Sequence, residues 1–278
     1  MDKELNHEYQ ITTDTVRWNL DDLDFNAIDV ESVRKRADIF LLTCSASFVE
    51  SGSRTYTRNL IDHYSGDKTL CTWLADHWEP EELQHGFALR SYVRHVWPDF
   101  DWETAYSAFY ETYSKLCNMD ELEPTKGQEL AARCIVEMGT TTFYQTIHTM
   151  CDEPVLKDLS WRIRSDEIRH YKYFYHYFLL YSQQENLTRT QVAATLWRRL
   201  SELRHSDADI ALRFAAKCCP SNISPNFDIV RKELWGRIQA NFPSELAVRM
   251  ALKPLQLSTR LQHLILMPMV FLVRLMLH

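Results

Sequence analysis

The sequence predicts an all-α chain, a four-helix bundle with extra helices and a C-terminal helical extension. Three observations carry this reading. Glycine occurs six times and proline nine times in 278 residues, so few tight turns are available and long helices are favoured. Apolar residues recur at helical spacing in long blocks separated by short polar breaks. The third observation is a pair of related motifs. Glu82/His85 and Glu167/His170 each place a carboxylate and an imidazole three residues apart, hence on one helix face. A lone glutamate precedes each pair: Glu50 stands 32 residues before Glu82, and Glu137 stands 30 before Glu167. Two such halves describe the ligand set of a carboxylate-bridged two-metal site inside a four-helix bundle.

The tetrapeptide alone is a weak signal, because Glu4/His7 and Glu202/His205 also have it. The first lies in a polar N-terminal stretch, and the second lacks an upstream glutamate on a matching helix. Only the pairs at 82/85 and 167/170 have that partner, together with an acid directly before the motif glutamate, Glu81 or Asp166.

Residues 1–30 are polar, with isolated Trp18, Leu20, Leu23 and Phe25, and are expected to form an arm over a bundle of residues 31–187. Ser32 is expected to cap a first helix running to Leu60 or Ile61. Its Glu50 face carries Thr43, Ala46, Ser47, Ser53, Arg54 and Thr57, small or polar groups that leave room for ions and a substrate. After Ser65-Gly66-Asp67 a second helix is expected from Lys68 to Val96. Pro80 inside it predicts a kink or bulge near His77–Pro80, since proline costs about 3 kcal/mol in a regular helix interior. An aromatic amphipathic helix (Trp102, Tyr106, Phe109, Tyr110, Tyr113) and an acidic connection lead to a third ligand helix over 128–150. Glu137 shares its face with Cys134, Thr140, Thr141, Tyr144 and His148. The fourth helix, 154–183, follows Asp152-Glu153-Pro154 and carries an aromatic run after His170.

Residues 188–278 are expected to form a C-terminal helical region, with helices near 188–204, 206–218, 225–241 and 244–252. The apolar stretch Leu264–Leu277 is interrupted by Pro268 and Arg274, short of the ~20 residues a span needs. It is expected to pack on protein or to lie in a membrane interface, not to cross.

Net charge is −7, which argues against nucleic-acid binding. Residues 189–278 hold 13 Lys/Arg against 6 Asp/Glu, or +7, leaving 18 against 32, or −14, for residues 1–188. The seven cysteines include no CxxC pair, so they are expected to be free thiols of a reducing, cytoplasmic compartment, and no built-in cluster is expected. The N-terminal decapeptide is polar and does not resemble a secretory signal.

Four carboxylates and two imidazoles suit two iron ions, with manganese as the alternative, and the absence of thiolates disfavours zinc. Such a pair of ions can activate dioxygen for attack on unreactive C–H bonds. Metal-bound histidines usually donate their second N–H to a carboxylate, a role expected of Glu81 and Asp166 across the bundle. Thr140 and Thr141, one turn beyond Glu137, offer hydroxyls on the oxygen side. Four buried glutamates without cations would repel one another at high desolvation cost.

At these residues the chain resembles the soluble acyl-carrier-protein desaturases of the ferritin-like di-iron carboxylate superfamily, over about Phe48 to Phe174. Glu50 with Arg54-Thr55-Tyr56 is similar to the first-helix glutamate and Pro-Thr-Tyr of that family. Trp78 followed by Glu81-Glu82-x-x-His85-Gly86, then Glu137-x-x-Thr140, and Asp166-Glu167-x-Arg169-His170 match its remaining motifs. The resemblance implies a ferritin-like bundle, two bound irons, and Trp78 and Arg169 beside the ligands. The chain is shorter than a typical member, and its C-terminal part shows no such likeness. Ribonucleotide reductase small subunits fit less well, commonly having a tyrosine where this chain has Leu89. The N-oxygenases of arylamines have a histidine where this chain has Ile163.

The expected function is therefore an oxygen-dependent di-iron oxidoreductase, a desaturase, hydroxylase or related oxidase, acting on an apolar, acyl-type substrate free or carried by a protein. Two other functions use the same ligands: an iron-handling, ferroxidase-like protein, and a di-metal oxygenase for a small polar metabolite. No glycine-rich cofactor loop is present, so electrons are expected from an external donor such as a ferredoxin. A homodimer, with peripheral membrane contact through the apolar tail, completes the expectation.

Overall fold

A computed structural model describes residues 18–117, 119–202, 207–220, 223 and 227–277. Every regular element among them is helical. In chain order they are α1 (Val30–Val33), α2 (Ala37–Ser51), α3 (Ser53–His63), α4 (Lys68–Trp73), α5 (Glu79–Val96), α6 (Trp102–Tyr113), α7 (Lys126–Met150), α8 (Pro154–Gln184), α9 (Arg189–Glu202), α10 (Asp207–Lys217), α11 (Phe227–Asn241), α12 (Ser244–Leu252) and α13 (Thr259–Leu277). The bundle consists of two tightly packed pairs, α2 with α5 and α7 with α8, joined where α5 meets α8. Helix α6 lies in the long connection between the pairs. Most of the N-terminal arm, including Glu4/His7, falls outside the described residues, as does His205.

Helix α2 is buried on nearly every side. Its hydroxyls are satisfied by the helix itself: Thr43 Oγ1 donates to the Ile39 carbonyl at 2.6 Å, and Ser45 Oγ to that of Leu41 at 2.6 Å. The expected first helix is divided, α1 beginning at Val30 and α2 at Ala37. Asp29 caps the short α1 and accepts from the Ser32 amide at 3.1 Å, so Ser32 is inside a turn and α2 starts after Arg36. The helix is also interrupted at Gly52, with α3 resuming at Ser53 and running past Leu60. A Cβ on Gly52 would stand 2.7 Å from the Tyr113 ring, so α6 presses on the break.

Gly86 sets the distance between α2 and α5. A Cβ there would lie 2.7 Å from the Ser51 amide nitrogen and 3.0 Å from its Cα. Only glycine lets the two backbones approach so closely beside Glu50. The kink or bulge anticipated near His77–Pro80 is a π-helical turn, Leu74–Trp78, directly ahead of α5. Proline then sits in the first turn of α5, where its missing N–H costs little. Glu153 caps α8, accepting from the amides of Val155 at 3.0 Å and Leu156 at 2.7 Å, and also accepts from the Tyr92 hydroxyl at 2.8 Å.

Two apolar cores flank the bundle centre. One joins α2, α5 and α6 around Phe40, Phe48, Leu89 and Phe109; the other joins α4, α7, α8, α9 and α12 around Leu74, Leu130, Phe174 and Phe178. The aromatic run after His170 belongs to the second core. Tyr173 stacks on Trp73 at 3.7 Å between centroids, and the Tyr171 hydroxyl donates to the Met250 carbonyl at 2.6 Å. These rings pack within that core.

The C-terminal stretch differs from its sequence expectation. Thr259–Leu277 is one continuous helix of 19 residues, Pro268 included, long and apolar enough by length and composition to cross a membrane. The carbonyl that Pro268 leaves without a donor belongs to Leu264, which is 72% exposed, so the break proline usually causes is relieved on the open side. Packing on protein is slight, since only Leu266 and Val270 of this helix are buried.

Candidate metal centre

Each bundle pair delivers one half of the ligand motif. The pair α2–α5 brings Glu50 to Glu82 and His85, and α7–α8 brings Glu137 to Glu167 and His170. All six side chains are buried. They form two overlapping groups, Glu50, Glu82, His85 and Glu167, and Glu82, Glu137, Glu167 and His170, whose donor atoms lie within 4.8 Å of one another in each group. Glu82 and Glu167 belong to both groups, the placement bridging carboxylates need. These clusters are able to bind two metal ions.

The histidines are oriented from behind. His85 Nε2 lies 3.0 Å from Asp166 Oδ2, and His170 Nε2 lies 2.7 Å from Glu81 Oε2. Arg169 ties the two carboxylates together, donating to Asp166 Oδ1 at 2.5 Å and Glu81 Oε1 at 2.8 Å. Each Nδ1 therefore faces the centre. His170 Nδ1 is 3.0 Å from Glu82 Oε1 and 3.6 Å from Glu137 Oε2, and His85 Nδ1 is 3.3 Å from Glu167 Oε1. None of these approaches has hydrogen-bond geometry. Glu82 Oε1, His85 Nδ1, Glu167 Oε1 and His170 Nδ1 are all buried without a hydrogen-bond partner. Buried polar atoms normally find partners. Four that do not, all turned to one space, fit a pair of cations as their common partner.

The electrostatics agree. Burial, with Glu167 and Glu50 alongside, pushes the Glu82 carboxyl well above its ordinary value. Burial likewise lifts Glu137 to about 8 against the pull of His170. Burial opposes the charge on His85 and His170, yet the surrounding carboxylates outweigh it and hold both imidazoles well above their ordinary value. Asp166 also resists burial, and its bond to His85 with the charge of Arg169 holds it at about 2. Glu167 goes the other way: burial opposes its charge, yet the His170 and His85 imidazoles hold it well below its ordinary value. Metal ions would compete with protons for Glu82, Glu137 and the two imidazoles.

Thr140 Oγ1 donates to Glu167 Oε2 at 2.7 Å. Thr141 is fully buried and its hydroxyl has no partner. Trp78 sets its ring edge-on to His170 at 6.4 Å between centroids. Arg54, Thr55 and Tyr56 serve other contacts: Arg54 pairs with Glu79 at 3.1 Å, Thr55 meets the Tyr110 hydroxyl at 2.5 Å, and Tyr56 donates to Glu129 at 2.9 Å. His148 is likewise outside the centre, with Nδ1 2.9 Å from the Lys157 carbonyl, and Glu202 pairs with Arg199 at 3.1 Å.

Two participants lie outside the motifs themselves. Trp18 Nε1 donates to Asp166 Oδ2 at 2.8 Å, and its ring lies parallel to His85 at 6.3 Å. It stands 148 residues from Asp166 in a stretch without helical periodicity, so no local signal marks it. The Tyr144 hydroxyl donates to Glu50 Oε1; its position seven residues, two turns, beyond Glu137 was the available signal.

The space anticipated along the small face of α2 is largely filled. Ser47 accepts from Trp102 Nε1 at 2.9 Å, and Phe48 packs on Trp102 and Phe109. A surface cleft of about 400 Å³ remains between α5 and α6, lined by Ser51, Leu83, Phe87, Arg90, Trp102 and Tyr106, with Glu103 and Ser107. Ser51 adjoins Glu50, and Leu83 adjoins Glu82.

No family model and no curated protein matches the chain. Among solved structures it is similar to variants of an R2-like ligand-binding oxidase with a reconstituted Mn/Fe cofactor. One such chain has 13% identity and a TM-score of 0.47, with 81% of this chain and 87% of that one covered. Another has 16% identity and a TM-score of 0.38 over the same shares.

Proposed function

We propose that the protein is an oxygen-dependent di-metal oxidoreductase whose ions, iron in both places or manganese in one, are held by Glu50, Glu82, His85, Glu137, Glu167 and His170. The observation that carries this is the set of four partnerless buried donor atoms turned to one space between two ligand groups. When bound, such a pair of ions supplies the electrons that activate dioxygen for oxidation of a C–H bond. The protein's own part is positioning. Asp166 and Glu81 fix each histidine with Nδ1 inward, Arg169 holds those two carboxylates to each other, Thr140 steadies Glu167, and Tyr144 steadies Glu50. The unpartnered Thr141 hydroxyl is a proton donor or acceptor available to a bound reactant.

The cleft beside Ser51 and Leu83 is the approach for the substrate. Its Phe87, Trp102, Tyr106 and Leu83 lining suits an apolar, acyl-type chain, consistent with the desaturase-like motifs at Glu82/His85 and Glu167/His170. Electrons come from an external donor such as a ferredoxin. The test is single turnover: iron-loaded, chemically reduced protein is mixed with oxygen and a panel of fatty acids and acyl carriers, and products are read by mass spectrometry. Unsaturated or hydroxylated acyl products, abolished in Glu137→Ala, are expected. Oxygen consumption that yields only ferric iron, with every acyl chain recovered intact, defeats the oxidase reading and favours iron handling.

A further inference from the structure

The outer face of α13 is apolar and uncovered. Leu264, Phe271 and Leu275 are 72%, 69% and 61% exposed, and Leu261, Met267, Leu272 and Met276 are exposed as well. Leu264, Pro268, Phe271 and Leu275 follow one another at intervals of four, three and four residues, so they form one continuous face. The opposite side carries Leu266 and Val270, which pack on Val248 of α12. Helix α12 is itself fixed to the bundle, where Ala247 and Met250 join the second core.

Charge is also one-sided. From Leu246 to His278 the chain has Arg249, Lys253, Arg260 and Arg274 and no aspartate or glutamate. Arg249 pairs with Glu245 at 2.7 Å, and Lys253 lies over the Tyr175 ring at 4.6 Å. Arg260 and Arg274 are exposed and, among the described residues, pair with no carboxylate. His263 stands three residues after Arg260 and eleven, about three turns, before Arg274, so the three basic groups share one flank.

We propose that α13 is an in-plane anchor for an anionic lipid bilayer. The Leu264–Phe271–Leu275 face enters the acyl boundary, while Arg260, His263 and Arg274 meet the lipid phosphates at its edge. A spanning orientation would strip Leu266 and Val270 from α12, which the bundle holds. A second copy of the chain is a poor cover, because an isologous contact would set this acid-free, cationic helix against itself. The anchor stands independently of the metal centre.

The test is flotation of the full-length protein with vesicles of phosphatidylcholine alone and of an equal mixture of phosphatidylcholine and phosphatidylglycerol. Binding to the mixed vesicles is expected to exceed that to phosphatidylcholine by about tenfold and to weaken with salt. The triple variant Leu264→Glu/Phe271→Glu/Leu275→Glu should lose it, with circular dichroism and metal content unchanged. The double variant Arg260→Gln/Arg274→Gln should lose the preference for the anionic lipid. The proposal is overturned if the wild type floats with neither vesicle, or if the triple variant binds as well as wild type. It is overturned too if carbonate fails to release the protein, which means spanning, or if the triple substitution only turns a dimer into a monomer.

Discussion

Asp166 and Glu81 decide which histidine nitrogen faces the centre, and each does so from the opposite half of the bundle. Replacing Asp166 with Asn keeps the shape but weakens the hold on His85, which already shares that carboxylate with Trp18 and Arg169. Metal affinity in Asp166→Asn should fall about 10–100-fold, read by competition with a chelator; wild-type affinity would contradict the orienting role. Trp18→Phe removes one donor to the same oxygen and should cost about 1 kcal/mol, under tenfold in affinity. The two results together separate the carboxylate's part from the indole's. The meeting of the six motif residues in one buried cluster was legible because helical spacing sets which side chains share a face. Trp18 was not, since its role depends on where an irregular segment crosses the bundle, which no local pattern encodes.

The end of α5 at Val96, the spans of α7 and α8, and an irregularity near Pro80, expected as a kink or bulge, could be read to within about two residues because periodicity and proline act locally. The Tyr113 ring of α6 lies where a side chain at position 52 would stand, and glycine within a helical pattern does not announce such a contact. Gly86 governs the spacing of the two elements that carry Glu50 and Glu82/His85. Gly86→Ala drives a methyl against the Ser51 backbone and should destabilise the fold by about 1–3 kcal/mol, seen as a lower urea midpoint; an unchanged midpoint would contradict the close approach. Asp38 anchors the start of α2, paired with Arg36 at 2.9 Å and with Arg237 of α11. Burial works to raise its pKa, but those guanidinium groups win and hold it below the ordinary carboxylate value. Its stabilisation is therefore full above the ordinary aspartate range and is lost as pH falls through the lowered value. Asp38→Asn should cost about 1–3 kcal/mol at neutral pH, and the gap between variant and wild type in urea unfolding should close on acidification. A pH-independent gap would assign the loss to packing.

For the whole molecule, two motif-bearing helix pairs enclose buried carboxylates whose mutual repulsion two bound cations would relieve. Chelation of the metal should lower the melting temperature by several degrees, and ferrous ion should restore it, since a ligand bound only by the folded state stabilises it. The bundle was readable from composition and spacing, whereas the exposure of α13 was not. A run of Leu, Met and Val looks the same in sequence whether protein or lipid covers it. The most direct measurement is metal analysis of the purified chain grown with iron. Wild type and Glu202→Ala should each carry close to two ions per chain, and Glu137→Ala should fall well below that. A wild type that holds no metal when reconstituted with ferrous ion, or a loss confined to Glu202→Ala, would contradict the two-metal centre.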